Sequence, residues 1–279
     1  MRTHAILTFL PAAQLMILRL VVFMAAFGVN AAASEFGDLF EDQSLTVCVR
    51  DVETGDQFVH NADRAAKRFT AYSTFKIPNS IIALETGAVE DSNEKFAFDP
   101  SKHRSDFRKD PNYNRDQTLP SAFRHSVVWT FQEIAKRVGP NRYADYLERF
   151  QYGNQDLSGG IDRFWLSSLE ISAIEQVEIL ARFYNDDLEL KPETNKAVKS
   201  MMLLEETDAY RLHGKTGTGM PKDGTWSGWL VGFVEAADKT FIFAIHADAD
   251  SYPALQVMRL SILKDSMTHL GVPMNAEKS

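Results

Sequence analysis

The chain has 279 residues, 44% of them hydrophobic and 24% charged, with a formal net charge of −8. That balance excludes a disordered chain and fits a globule with a substantial core, as one large domain or two interleaved subdomains. The acidic sign, with no lysine- or arginine-rich run anywhere, argues against nucleic acid as a partner.

Residues 5–33 are almost wholly apolar, interrupted by Gln14 and Arg19, and end on Ala31-Ala32-Ala33 before Ser34. A basic start, an apolar run and small residues at the close describe a secretory signal peptide over residues 1–33, cut after Ala33. Met16 is an alternative start, since Met16–Arg19 followed by Leu20–Phe27 makes a tidier signal. Arg19 shortens the clean apolar run that an uncleaved membrane anchor would need. The expected product is a single domain over residues 34–279, exported to the periplasm, with no stable membrane association after cleavage. Cys48 is the only cysteine, so no internal disulfide forms and the fold must hold by its core.

Leu45–Arg50 and Gln57–His60, joined through Glu53-Thr54-Gly55, carry a hairpin signal. A helix should follow Ser73 and end near Gly87, with Pro78 tolerated because it falls in the early turns. Residues 90–120 are polar, with several prolines and aromatics, and read as a long surface connection. Phe131, Ile134, Ala135 and Val138 recur at helical spacing, and Gly139-Pro140-Asn141 breaks the chain. Tyr143, Tyr146, Leu147 and Phe150 begin a second amphipathic segment. Residues 152–168 look like a structured loop. Ser172-Ala-Ile-Glu175 is a capping-box pattern opening a helix through Phe183. Trp229–Val234, a turn at 236–239 and Thr240–Ile245 form an antiparallel hairpin, and a helix from about Pro253 to His269 follows. Strands near both ends with helices between predict an α/β fold of the α+β type. An antiparallel sheet from the N- and C-terminal segments is flanked by helices, with a central, mainly helical subdomain and the active site in the cleft between.

Chemistry concentrates at Ser73-Thr-Phe-Lys76. Three residues apart on a helix share a face, so the Lys76 amine would lie beside the Ser73 hydroxyl. A serine needs a base to become a nucleophile, and lysine is a base only where its surroundings disfavour the charged form. Phe75, Ile77, Ile81 and Ile82 supply such a setting. The spacing alone proves little: Ser-x-x-Lys also occurs at Ser92 and Ser261, and a helix-start serine with a snorkelling lysine explains Ser73 equally well. Three further motifs accompany it. Ser126-Val-Val128 precedes a helix and offers a second hydroxyl for proton relay. Tyr152-Gly-Asn154 lies in the structured loop, where Asn154 should pin the backbone. Lys215-Thr216-Gly217-Thr-Gly219 combines a cation and a hydroxyl for a substrate carboxylate with glycines that permit close approach.

These four motifs, in this order, resemble the class D β-lactamases (oxacillinases), within the serine penicillin-recognising enzymes. The resemblance runs from about Val47 to the C-terminal helix and includes Tyr152–Leu166 and Gly228–Phe233. It implies a small-molecule β-lactam substrate, with Ser73 as acylated nucleophile and Lys76 carboxylated on its nitrogen as general base. No separate cofactor is implied; carbon dioxide, supplied as bicarbonate, modifies Lys76. Trp165 and Val128 would support that carbamate, Ser126 and Lys215 would move the proton to the leaving nitrogen, and the N–H groups of Ser73 and Thr218 would form the oxyanion hole. Thr216, Gly217 and Arg259 would bind substrate. One departure stands out: by hand alignment Gln256 occupies the place of the family's carboxylate-gripping arginine, with Arg259 three residues on as its substitute. A non-hydrolysing β-lactam sensor and a cell-wall DD-peptidase remain alternatives, and monomer and homodimer are both open. Trp129 and Trp229 read as core, and His125 and His213 as structural or exposed. His246-Ala-Asp248-Ala-Asp250 lacks a second ligand cluster, so no metal site is expected.

Overall fold

The computed structural model describes residues 36, 39–42, 44–103, 110–221 and 224–274; the proposed signal peptide lies outside them. Strands β1 (Leu45–Asp51) and β2 (Gln57–His60) form the expected hairpin, followed by α1 (Ala62–Ala66) and the short strand β3 (Phe69–Thr70). A 3₁₀ turn, Tyr72–Phe75, leads into α2 (Lys76–Glu85), so Pro78 falls in the first helical turn, where a missing N–H is harmless. The central helices are α3 (Pro100–His103), α4 (Leu119–Arg124), α5 (Val128–Val138) and α6 (Pro140–Phe150). After a second 3₁₀ turn, Phe164–Leu166, come β4 (Glu170–Ile171), α7 (Ala173–Tyr184) and α8 (Pro192–Met202). The chain returns through β5 (Leu203–Glu206), β6 (Tyr210–Gly219), β7 (Trp226–Ala236) and β8 (Thr240–Ala249) to α9 (Tyr252–His269).

Six strands make one antiparallel sheet in the order β2-β1-β8-β7-β6-β5, so the two ends of the chain are neighbours in its middle. Strand residues alternate between faces, and the two cores follow that alternation. Cys48, Val231, Phe233, Ile242 and Ala244 join the core shared with the central helices, while Val47, Val49, Leu230, Phe243 and Ile245 join the core under α9. Burial on both faces explains why β7 and β8 read as continuous apolar runs. The capping box of α7 forms as expected: Glu175 N–H donates to Ser172 Oγ at 3.2 Å and Ser172 N–H to Glu175 Oε2 at 2.9 Å.

One expectation needs correction. Residues 90–120 are not simply a surface connection: Phe96, Tyr113, Gln117 and Leu119 are buried, and Phe96 and Gln117 form a β-bridge. Gln117 is a polar residue that buries because its amide donates to the carbonyl of Asn112 at 2.7 Å. The polar composition hid a few anchoring side chains.

Candidate active site

Ser73 sits within the 3₁₀ turn that precedes α2, and Lys76 opens the helix. The Lys76 ammonium donates to Ser73 Oγ at 3.0 Å, and the lysine is 1% exposed. Its nitrogen lies 5.0 Å from the centre of the Phe131 ring on α5. Tyr72, just before the serine, holds φ at +48°, a left-handed conformation that costs roughly 1–2 kcal/mol in a non-glycine residue. The turn is gripped from several sides. Trp229 Nε1 donates to Thr70 O at 2.9 Å, Ala71 N–H to Leu169 O at 3.0 Å, and Gln176 Nε2 to Thr74 Oγ1 at 3.0 Å. By contrast, Lys95 and Ser261 are exposed, and the Ser-x-x-Lys matches they belong to make no comparable pair among the described contacts.

Ser126 arrives by a different route. Helix α4 ends in a Schellman motif: Val127 N–H donates to Ala122 O at 2.9 Å and Ser126 N–H to Phe123 O at 3.2 Å. That motif needs a left-handed residue, usually glycine, and Ser126 fills it with φ +53°. The strained position aims its hydroxyl at β6, where Lys215 Nζ donates to Ser126 Oγ at 3.1 Å. Val128, half-buried at the start of α5, donates its backbone N–H to Tyr113 Oη at 3.2 Å.

Strand β5 pairs with β6 only at Arg211–His213, so Lys215–Gly219 form an open strand edge among the described residues. The glycines there permit contact that side chains would block. A Cβ on Gly217 would lie 3.1 Å from Thr74 N, and one on Gly219 would penetrate the Tyr72 ring at 2.1 Å. Lys215 is buried, Thr216 exposed and Thr218 intermediate.

The sequence reading puts Gln256 in the place of the family's arginine with Arg259 as its substitute, and α9 sets the two in different surroundings. Gln256 is exposed and donates to Tyr252 Oη at 3.0 Å. Arg259, 2% exposed, turns inward: its Nη1 donates to Gly217 O at 2.9 Å, Thr218 Oγ1 at 2.8 Å and Trp229 O at 3.0 Å. Burial lowers its pKa to about 10, and no carboxylate pairs with it among the described residues. Residues three apart on a helix stand about 60° out of line, which is enough for Arg259 to reach β6 and β7 while Gln256 stays on the solvent side.

Trp165 is 0% exposed and stacks on Phe75, their centroids 6.0 Å apart. Its indole N–H is buried without a hydrogen-bond partner, whereas the indoles of Trp129 and Trp229 both donate to backbone carbonyls. An orphaned buried donor costs about 1–3 kcal/mol and calls for an acceptor. Asn154 pins its loop as expected, donating to Ser168 O at 2.8 Å and accepting from Glu170 N at 3.0 Å. Sequence reading missed the buried pair Tyr143–Asn79, in which the phenol donates at 2.7 Å and burial raises the phenol's pKa. It also missed Tyr72 as a strained neighbour; position beside Ser73 was the one available signal.

The remaining histidines are structural. His213 Nδ1 donates to Lys199 O at 3.0 Å, and His125 contacts Asp110 at 2.9 Å. Around His246, Arg64 Nη2 donates to Nδ1 at 3.1 Å and to Asp248 at 2.7 Å. With Nδ1 accepting, Nε2 holds the proton and donates to Ser227 Oγ at 3.1 Å. Burial, then the charges of Arg64, Arg259 and Lys67, push the His246 pKa well below its usual 6.5. No metal-binding cluster is found among the described residues.

Comparison with known proteins agrees with this geometry. Residues 45–267 match the penicillin binding protein transpeptidase domain. The probable β-lactamase YbxI of Bacillus subtilis (strain 168) is 38% identical over 237 residues, covering 85% of this chain and 86% of the relative. β-Lactamase OXA-48 of Klebsiella pneumoniae is 36% identical over 258 residues, covering 88% and 94%. The solved class D β-lactamase BAT-2 superposes with a TM-score of 0.74 at 36% identity, covering 87% of this chain and 97% of that one. The ordered motifs, the sheet and its helical insertion, and these relatives lead to one assignment: the chain belongs to the class D β-lactamases, within the penicillin-binding transpeptidase-domain family.

Proposed function

We propose that the chain hydrolyses β-lactam amides through an acyl-serine on Ser73, with Lys76, carboxylated on its nitrogen, as general base. The observation that carries this reading is the buried Lys76–Ser73 contact at 3.0 Å. Burial favours the neutral amine, and only a neutral amine adds carbon dioxide. When bound, that group supplies an anionic oxygen base in an otherwise apolar setting. The residues present fit it: the orphaned N–H of Trp165 is a donor in need of an acceptor, and Phe131 supplies apolar surface beside the lysine nitrogen.

Lys76 takes the Ser73 proton, and Oγ attacks the β-lactam carbonyl. The oxyanion accepts from the backbone N–H groups of Ser73 and Thr218, each such donor being worth about 10²–10³ in rate. Ser126, held by Lys215, delivers a proton to the departing nitrogen as the ring opens, and the proton that Lys76 took from Ser73 replaces it. Water then attacks the ester, giving its proton to Lys76, which passes it to Ser73 Oγ as the acyl group leaves. Lys215, Thr216 and Arg259 bind the substrate carboxylate, and Gly217 lets the substrate lie against the strand edge. The reading includes export to the periplasm after loss of residues 1–33. No helix among the described residues is long and apolar enough to cross a membrane.

Turnover tests the proposal. Purified protein mixed with excess chromogenic cephalosporin should clear many equivalents. A single stoichiometric burst followed by a stable adduct would instead support a sensor or a cell-wall DD-peptidase.

A further inference from the structure

A cavity of about 320 Å³ lies between the end of α4, the end of α8, β5 and the start of the open edge of β6. Its wall includes Lys215 and Thr216 but neither Ser73, Lys76 nor Ser126. It therefore adjoins the Ser73 site through Lys215 and Thr216 without including the nucleophile. In acyl transfer the carbonyl half of the substrate stays on Ser73, while the nitrogen half departs toward Ser126. In a bicyclic β-lactam that nitrogen half carries the carboxylate and, next to it, a variable substituent. A carboxylate held at Lys215 and Thr216 directs its neighbouring substituent into this cavity.

The wall chemistry states what fits. Leu203 and Leu204 are 39% and 52% exposed on an edge strand, where apolar side chains are normally avoided. Leu204 forms part of the floor over Gly214, where an added Cβ would lie 3.2 Å from its Cδ1. Phe123 and Met201 extend the apolar surface. Arg124 is exposed at the rim and pairs with no carboxylate among the described residues. Among the described residues no aspartate or glutamate lines the cavity, and the nearby Asp110 is engaged by His125 at 2.9 Å. An apolar wall with a cationic rim suits an aromatic group bearing a negative charge.

We infer that this cavity is a specificity subsite for the leaving-ring substituent of the substrate, and that it favours aryl substituents carrying an anionic group. The inference rests on the β-lactam hydrolysis proposed above. Arg124 meets the anion, and Leu203, Leu204 and Met201 meet the ring.

Two cephalosporins with the same acylamino side chain test it, one with methyl beside the ring carboxylate and one with a carboxyphenyl-thiomethyl group. The kcat/KM ratio should favour the second by about five-fold or more, the scale of one partly exposed ion pair. Arg124→Gln should remove that preference and Arg124→Lys should retain most of it. Leu204→Ala should lower the ratio by about three-fold through lost apolar contact. Arg142→Gln, a surface charge change on α6, controls for net charge and should leave the ratio unaltered. Dissociation constants for both compounds with the Ser73→Ala protein read the same ratio without chemistry. Equal affinities there, or a preference that survives Arg124→Gln, overturn the subsite. A stable adduct without turnover in the wild-type protein sinks the hydrolytic reading instead, while the affinity ratio still decides the subsite.

Discussion

Two hydroxyl–ammonium pairs stand side by side for comparison: Ser73 with Lys76 at 3.0 Å, and Ser126 with Lys215 at 3.1 Å. The first joins residues three apart, set by a 3₁₀ turn running into one helix. The second joins residues 89 apart, one on a strained helix end and one on a strand edge. The local pair is buried beneath apolar side chains and suits a base that must shed its proton. In the long-range pair Lys215 lines a cavity beside the strand edge, a setting that suits a shuttle that must reach a departing atom. Local geometry thus secures the proposed nucleophile, and global packing the proposed relay.

The comparison breaks most sharply at the two lysines. Lys76→Ala should lower kcat by about 10³–10⁴-fold, the upper range for a general base. Lys215→Ala should cost less, about 10²-fold, because a shuttle helps one step only. Steady-state kinetics on one penicillin decide it; a larger loss for Lys215 would reverse the division of labour.

Trp165→Phe keeps the stacking on Phe75 but removes the indole donor. Activity should fall about ten-fold or more and recover in part with added bicarbonate, since one charged-group hydrogen bond is worth about 1.5–3 kcal/mol. A carbon-13 carbamate signal, present in the wild-type protein and weaker in the variant, checks the cause. If bicarbonate alters neither protein and no signal forms, Lys76 works uncarboxylated.

Arg259→Ala should raise KM about ten-fold with a smaller effect on kcat, as expected for a lost carboxylate contact. Gln256→Ala, on the exposed face of the same helix, should change neither by more than about two-fold. Equal effects would return Gln256 to the substrate site.

The smallest effect concerns stability. His246 stays neutral in the fold below its usual pKa of 6.5, so the unfolded chain binds more protons as the solution is acidified. Stability is therefore fully present above pH 6.5 and falls as pH drops toward the lowered folded value. His246→Asn should flatten that loss, measured as denaturation midpoints between pH 7 and 5. An unchanged slope would assign the acid sensitivity to other groups.

Much of this was legible in the residues. The continuous apolar runs of β7 and β8, the capping box at Ser172 and the break at Gly139-Pro140 are local signals, and each became the element expected. Ser73-x-x-Lys76 needed only a helical turn to bring its groups together. Other features resisted because they depend on distant partners. Phe96 and Gln117 anchor a polar stretch only because each finds the other across 21 residues of chain. Arg259 turns inward because β6 and β7 offer it three acceptors, and no spacing rule distinguishes it from Gln256.

By itself the amino-acid sequence determined which segments form strands and helices, and which short motifs offer the proposed nucleophile, base and relay. These follow from periodicity and from reach along one helix, both properties of neighbouring residues. Only the tertiary structure decided that Ser126 meets Lys215, that Arg259 reaches the strand edge, and that the Trp165 indole is left without a partner. Those outcomes arise where separate elements close on one another, because a buried polar group finds or lacks its partner only when the whole core has packed.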